Sequence, residues 1–237
     1  MDLSSLYAYQ TRRNRKPSSP VAPRSPTPRH PVMSHTAFFY GTLMAPPVLH
    51  RVIWGSPTPP TPAHAALLSI RPAKLHAHQR RKVRLADYPA VVPSAPENEV
   101  RGTLVEGLTD GDLWRLDIFE GSEYERQKLK VKVLASKGRA GDPEHKDVEG
   151  EERDAQTYIW IAGDHRLETE EWDFDHFVKE KMSTWVGREA ADEGFQDVDD
   201  AVAALQDPTG GRGANGALTR QLQDSSQAEE NMLEGAV

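Results

Sequence analysis

The sequence predicts an α+β domain built on a small, strongly curved sheet or barrel. Short β-prone segments separated by turn residues fill residues 66–108 and return within 124–162, as in antiparallel sheets. Three segments with apolar residues at helical spacing, 46–54, 109–120 and 170–187, supply the helices. The two kinds of element together predict a sheet flanked by helices.

Charge is distributed unevenly along the 237 residues, whose net charge is −7. The first 33 residues carry six Lys or Arg against one acid, and the last 49 carry eleven acids against two arginines. The nearly balanced middle gives no global argument for nucleic-acid binding. We therefore predict a disordered basic, Pro/Ser-rich arm over 1–34, an ordered domain over 35–188 and an acidic, mostly disordered tail over 189–237.

Several classes of site and location are excluded or disfavoured by composition. The chain has no cysteine, which excludes disulfides, thiolate catalysis and Cys-based zinc sites. No apolar run is long enough to cross a membrane and no secretory signal is recognisable, so we expect a cytoplasmic protein. The Arg- and Ser-rich start also resembles a mitochondrial transit peptide, although a disordered arm is favoured, and translation starting at Met33 instead of Met1 stays open.

The first elements of the domain are a strand, a turn and a helix. "TAFFY" is a short buried strand that runs into Tyr40-Gly41-Thr42-Leu43. "PPVLHRVIW" then reads as a helix, since prolines suit a first turn and Val48, Leu49, Val52 and Ile53 recur at helical spacing. Gly55 is expected to end it.

A second helix follows the strand segments "AKLHAHQRRKVRL", "YPAVVPS" and "EVRGTLVEGL". Thr109 is its predicted N-cap, with Asp112 three residues later, and Leu108 is expected to pack on Leu113. "YERQKLKVKVLA" alternates like a half-exposed strand, and "AQTYIWIA" is its returning partner. We expect a charged loop insertion over 136–154 between them and an amphipathic helix over 170–187.

Two features could carry chemistry. The turn at Gly41 would expose backbone N–H groups that can bind an anion or a polarised carbonyl. Glu120 follows the apolar stripe of Leu113 and Leu116, and an inward carboxylate would have a raised pKa, useful for a general base. In the alternative interpretation, the turn is an ordinary connection and Glu120 ends the helix in solvent.

Other candidates receive less weight. Asp117 lies on a more polar face of the helix, and Glu123 and Glu125 are interpreted as solvated charges. His76 and His78 could share a strand face, but no acid is spaced along the chain to complete a metal site with them. Because no nucleotide-binding, zinc-protease or nucleophile-elbow motif is present either, we predict neither a metal nor a cofactor.

Five segments occur in a characteristic order: "FFYGTLM", "YPAVVPS", "VRGTLVEGLTDGDLWRLDIFEGSEYERQ", "AQTYIW" and "EWDFDHFVKEKM". This series resembles the γ-glutamylcyclotransferase-like superfamily and, within it, the plant avirulence-induced-gene group. The resemblance covers roughly residues 36–187. The two tails and the loop at 136–154 have no counterpart in it.

The resemblance implies a small mixed, mainly antiparallel β-barrel with flanking helices. It also implies that Glu120 is the acid/base of catalysis and that Tyr88 stands in the pocket wall. Tyr124 and Arg126 match recurring positions, and Arg126 is interpreted as a structural partner of a nearby acid more than as a substrate ligand. The implied substrate-binding loop consists of Tyr40, Gly41, Thr42 and Leu43.

The implied reaction is an intramolecular aminoacyl transfer that releases 5-oxoproline and an amine or amino acid from a γ-glutamyl compound. The enzyme would be an aminoacyltransferase or a lyase with a small-molecule substrate and no nucleic-acid or membrane partner; the oligomeric state stays open. The far end of the substrate is expected against the loops at 56–65 and 136–154. The alternative is a non-catalytic small-molecule-binding or stress-response scaffold on the same fold.

Overall fold

The computed structural model describes residues 34–135, 147–186 and 193–204. The predicted arm over 1–34 and most of the tail over 189–237 lie outside these residues. The described strands are β1 His35–Phe39, β2 Ser69–His76, β3 His78–Lys82, β4 Pro89–Pro93, β5 Glu99–Leu108, β6 Tyr124–Ala135 and β7 Val148–Trp160.

Five of these strands close into a barrel in the order β1-β5-β2-β6-β7, and β3 and β4 form a separate antiparallel pair. The barrel pairings are antiparallel except where β1 meets β7 in parallel, at Ala37 and Gln156. All five barrel strands contribute to one apolar cluster, with Phe38, Leu75 and Leu104 among its buried members. The predicted fold class, a small mixed and mainly antiparallel barrel with flanking helices, is therefore confirmed.

The helices lie outside the barrel and share a second apolar cluster with the outer side of β1. None of those in the described ranges is long and apolar enough to span a membrane. Short 3₁₀ turns occupy Thr42–Met44, Gly121–Glu123 and Asp164–Arg166. The helices are α1 Pro46–Trp54, α2 Pro62–Ala65, α3 Asp110–Glu120, α4 Phe174–His176, α5 Met182–Val186 and α6 Glu193–Ala203, with a π-type turn at Phe177–Lys181 joining α4 to α5.

Helix ends follow the predicted local chemistry. α1 begins at its two prolines and ends at Gly55, which adopts a left-handed φ of 74°. α3 begins with a capping box: the Thr109 hydroxyl accepts from the Asp112 amide at 3.1 Å, and the Asp112 carboxylate accepts from the Thr109 amide at 2.8 Å. These caps satisfy backbone groups that the helices leave unpaired.

The predicted loop over 136–154 extends too far at its C-terminal end. β7 begins at Val148 and pairs with β6, so that Lys130 lies opposite Asp154 and Lys132 opposite Glu152. Lys130 Nζ is 2.6 Å and Lys132 Nζ is 3.3 Å from the Glu152 carboxylate. In this part of the β6–β7 ladder, cross-strand pairs of opposite charge take the place of the apolar alternation by which a strand is recognised in the sequence. Residues 136–146 lie outside the described residues.

The boundary predicted at residue 188 is also wrong, because α6 belongs to the folded domain. Phe195 and Val198, both 1% exposed, form its apolar stripe. The Asp199 carboxylate pairs with Arg51 of α1. The sequence analysis treated this stretch as acidic tail because its neutralising arginine lies 148 residues earlier.

Candidate active site

A cavity of about 380 Å³ opens where β1, the C-terminal end of α3 and α6 come together. It receives residues from both regions that the sequence analysis selected, which are far apart in the chain. The sequence-predicted site residues that line it are Tyr40, Gly41, Thr42, Leu43, Tyr88 and Glu120.

The loop after β1 owes its glycine to close packing. Gly41 has a φ of −121°, which any residue adopts, but a Cβ there would lie 2.8 Å from Pro89 Cγ and 3.0 Å from Pro89 Cδ. The Met44 amide donates to the Gly41 carbonyl at 3.0 Å and closes the 3₁₀ turn. In the described part of the chain, the backbone amides of Gly41 and Thr42 donate no hydrogen bond. The loop therefore presents unpaired donors beside the cavity.

Tyr40 anchors this loop to the barrel. Its hydroxyl donates to the Tyr158 carbonyl at 2.5 Å, and its own carbonyl accepts from Arg80 Nη1 at 3.0 Å. Burial, with a contribution from the Glu120 charge, raises the pKa of Tyr40 well above its usual value. The phenol stays neutral at physiological pH and acts as a fixed hydrogen-bond donor.

Glu120 is the last residue of α3, and Gly121 follows it with a φ of 67°. Leu113 and Leu116 of the same helix are 5% and 0% exposed, so the apolar stripe predicted for α3 leads to the cavity. Glu120 is half-buried and lines the cavity. Burial, followed by the negative charge of Asp117, raises the pKa of Glu120 to about 8.

Asp117 lies one helical turn before Glu120 and is held by two donors. Arg126 Nε lies 2.7 Å from Asp117 Oδ1, its Nη2 lies 3.1 Å from Oδ2, and the Tyr158 hydroxyl donates to Oδ1 at 2.9 Å. Arg126 does not line the cavity. Arg126 thus has an acidic partner of the kind that the sequence predicts for it.

Tyr40, Tyr88, Tyr124 and Tyr158 line part of the cavity. The Tyr124 hydroxyl donates to the Pro89 carbonyl at 2.9 Å, which links β6 to Pro89, the residue that packs against Gly41. Tyr88 Oη lies 3.5 Å from Glu123 Oε2, at the limit of a hydrogen bond. Burial raises the pKa values of Tyr124 and Tyr158 well above the usual range, so this wall carries no phenolate near neutral pH.

Several lining residues were missed or misplaced. Glu123, interpreted as a solvated charge, lines the cavity and forms an ion pair with Arg166. Trp185, Gly194 and Asp197 also line the cavity, although they lie in or near the predicted tail. The loop at 56–65 and the described residues 147–154 are not among the lining residues, so the structure gives no support to the prediction that they face the far end of the substrate. Nothing local in the sequence marks these positions.

A cluster of side chains of the types that bind metal ions lies elsewhere, on the barrel surface. Donor atoms of His76, Glu99 and Glu149 lie within 4.8 Å of one another, so pairing of distant strands supplies the acids that chain spacing did not predict. His76 Nε2 is 2.8 Å from Glu149 Oε1, and Lys74 Nζ is 2.8 Å from Glu99 Oε1. These pairs account for the arrangement as an exposed ion-pair network.

Known proteins resemble this chain over the same region. A family model described as gamma-glutamyl cyclotransferase, AIG2-like, matches residues 37–174. Protein AIG2 C of Arabidopsis thaliana is 30% identical over 149 residues, which cover 61% of this chain and 72% of that protein. The solution structure of another Arabidopsis thaliana protein is 28% identical, with a TM-score of 0.40, over 68% of this chain and 92% of that one. A structure described as gamma-glutamyl cyclotransferase is 16% identical, with a TM-score of 0.37, over 57% and 69% of the two chains.

Proposed function

This chain belongs to the gamma-glutamyl cyclotransferase, AIG2-like family, and from that membership we propose that it cyclises γ-glutamyl amides. The products are 5-oxoproline and a free amine or amino acid. The reaction is an intramolecular aminoacyl transfer in which one amide bond of the substrate is exchanged for another.

One observation carries the proposal: the Glu120 carboxyl and the free amides of Gly41 and Thr42 border the same cavity. A cyclisation needs a proton acceptor for the attacking amine and donors for the oxygen that becomes negative. The cavity offers both. A non-catalytic scaffold could have this cavity filled by side chains, and the open volume of about 380 Å³ supports the enzyme proposal.

The proposed steps begin with the substrate folded so that its α-amine faces its own γ-carbonyl carbon. Glu120 takes a proton from the α-ammonium, and the nitrogen lone pair forms the new C–N bond of a five-membered ring. The Gly41 and Thr42 amides stabilise the resulting oxyanion. When the carbonyl re-forms, the original C–N bond breaks; the leaving nitrogen takes the second proton of the new ring nitrogen and the proton held by Glu120, so the amine departs as an ammonium. No atom is left over, and no external nucleophile is consumed.

Pocket-enforced folding supplies much of the rate. The nucleophile and the electrophile belong to one molecule, so the protein only has to restrict rotations that otherwise keep them apart. The tyrosine wall stays neutral and does not compete with Glu120 for the proton. A Glu120 pKa of about 8 lies much nearer to that of an α-ammonium group than the ordinary value of 4.5 does, so the proton transfer costs less free energy.

The direct test is product detection. The protein is incubated with γ-glutamyl dipeptides, γ-glutamyl-lysine and glutathione, and 5-oxoproline is measured by mass spectrometry. We expect product from at least one compound, and a loss of at least about 100-fold in kcat with Glu120→Gln, since general base catalysis typically contributes that much.

Glu125→Gln is the matched control, because Glu125 is an exposed carboxylate outside the cavity lining. It removes the same charge from a nearby position and should leave the rate unchanged. Undiminished turnover by Glu120→Gln would overturn the catalytic assignment. Absence of 5-oxoproline with every γ-glutamyl compound would overturn the proposed reaction.

A further inference from the structure

We propose that α6 is a specificity wall, in which Asp197 discriminates between substrates by the charge at the far end of the leaving amine. The inference rests on the proposed function and adds a residue to it. Asp197 lies outside the residues 37–174 that the family model matches. It belongs to a helix that the sequence analysis assigned to the tail.

The position of α6 is fixed by packing on the cavity's own residues. The Phe195 ring is 1% exposed and lies 5.0 Å from the Phe119 ring and 6.2 Å from the Trp185 ring, measured between centroids. Phe119 and Trp185 both line the cavity. A Cβ on Gly194 would lie 3.3 Å from Phe119, so the helix backbone approaches the end of α3 closely. α6 is therefore continuous with the cavity wall.

An ion pair fixes the rotation of α6 about its axis. Arg51 Nη1 and Nη2 donate to the two Asp199 carboxylate oxygens at 2.9 and 2.5 Å, and the Arg51 guanidinium lies 5.2 Å from the Phe195 ring centroid. At about 100° per residue, Asp199 lies about 70° to one side of the centre of the buried stripe and Gly194 about 70° to the other, with Asp197 about 60° beyond Gly194. Pairing on the first side turns the second side towards the cavity.

Asp197 is the carboxylate of the cavity whose charge has no partner. The lining acids are Glu120, Glu123 and Asp197, and no Lys, Arg or His is among the lining residues in the described part of the chain. Glu123 is neutralised by Arg166. Glu120 carries the reacting proton in the proposed mechanism. Among the described residues no cation pairs with Asp197.

The unpaired charge predicts an order of substrate preference. A leaving amine with a distal ammonium gains an attraction at the rim, a neutral chain gains none, and a distal carboxylate is repelled. Asp197 is exposed, so solvent limits the effect to that of a surface ion pair, a few-fold in kcat/KM.

The test uses three γ-glutamyl amides that differ at one terminus: those of 1,4-diaminobutane, n-butylamine and 4-aminobutanoate. In the wild-type full chain, kcat/KM should fall in that order. Asp197→Asn should reduce the ratio between the diamine and the butylamine compounds about threefold, and Asp197→Lys should invert the order. The ratio between compounds is the readout and not the absolute rate, because Asp197 lines the cavity.

Asp200→Asn is the matched control, because Asp200 is exposed on the same helix but does not line the cavity. It should leave the ratio unchanged. Equal ratios in wild type and Asp197→Asn, or the same change in both variants, would overturn the inference.

A binding measurement separates this inference from the proposed reaction. Calorimetric Kd values for the three compounds with Glu120→Gln report the charge preference without chemistry. If no compound is turned over but binding follows the predicted order and depends on Asp197, the reaction fails and the specificity wall stands. If compounds are turned over but neither ratio depends on Asp197, the reaction stands and the specificity wall fails.

Discussion

Asp117 and Arg126 form a two-point ion pair one helical turn before Glu120, with N–O distances of 2.7 and 3.1 Å. The pair fixes a negative charge near the proposed acid/base. The Asp117 charge is the second cause, after burial, of the raised pKa of Glu120. Arg126 contacts Asp117 and does not itself line the cavity.

Asp117→Asn should move the pH dependence of kcat/KM to lower pH. The proposed base is the ionised form of Glu120, so kcat/KM should rise with pH through the Glu120 pKa of about 8 in the wild type. Removing the Asp117 charge eases ionisation of Glu120 and lowers that pKa. The measurement is the pH profile of 5-oxoproline formation. A limb that stays in place, or moves up, would contradict the assigned coupling; Glu125→Gln should leave it in place.

Glu120→Gln should stabilise the protein at high pH. The pKa of Glu120 is about 8 in the folded protein, against an ordinary value of 4.5 for a glutamate. The folded protein therefore binds the proton more tightly than the unfolded chain does. The free energy of unfolding therefore falls as pH rises from about 4.5 to 8. A neutral glutamine avoids that loss, and Tm should rise by about 2 °C or more at pH 9 and change little at pH 4.5. An equal Tm change at both values would show that ionisation is not the cause.

Local chemistry made much of the fold predictable. α1 and α3 were predicted from prolines, a capping box and helical spacing, all of which operate within a few residues. The start of β7 and the packing of α6 on the domain were not. Acidic residues of β7 lie opposite lysines of β6, and Asp199 of α6 pairs with Arg51. Each element therefore needs a partner that only the folded chain supplies.

The same division separates the predicted part of the site from the missed part. Gly41 stood out as a strand-to-helix turn and Glu120 as a carboxylate on an apolar stripe, both of which are local signals. The local reading of Gly41 was incomplete, since the glycine accommodates Pro89 and not a left-handed turn. Glu123 and Asp197 were missed because their place in the lining depends on how α3 and α6 meet.

Gly41→Ala should destabilise the protein and displace the loop donors. The added methyl would lie 2.8 Å from Pro89 Cγ, inside van der Waals contact, and overpacking of this kind costs about 1–3 kcal/mol. We expect a lower free energy of unfolding in urea and a fall in kcat/KM. Pro89→Ala removes the opposing ring atoms, so the double variant should recover part of both losses. Losses that simply add would contradict the steric explanation.

Breaking the Arg51–Asp199 pair should loosen α6 before it affects the barrel. The two side chains are 20% and 43% exposed, so a double-mutant cycle of Arg51→Met and Asp199→Asn should give a coupling free energy of about 1 kcal/mol or less. Hydrogen exchange should accelerate at the amides of α6 and stay unchanged in β5, because local opening does not require the barrel to unfold. Both variants should also weaken the charge preference set by Asp197, since the helix that carries it is no longer held in one rotation. If hydrogen exchange accelerates equally in α6 and β5, then α6 opens only with global unfolding. The ion pair would then not control the position of α6 separately from the rest of the fold.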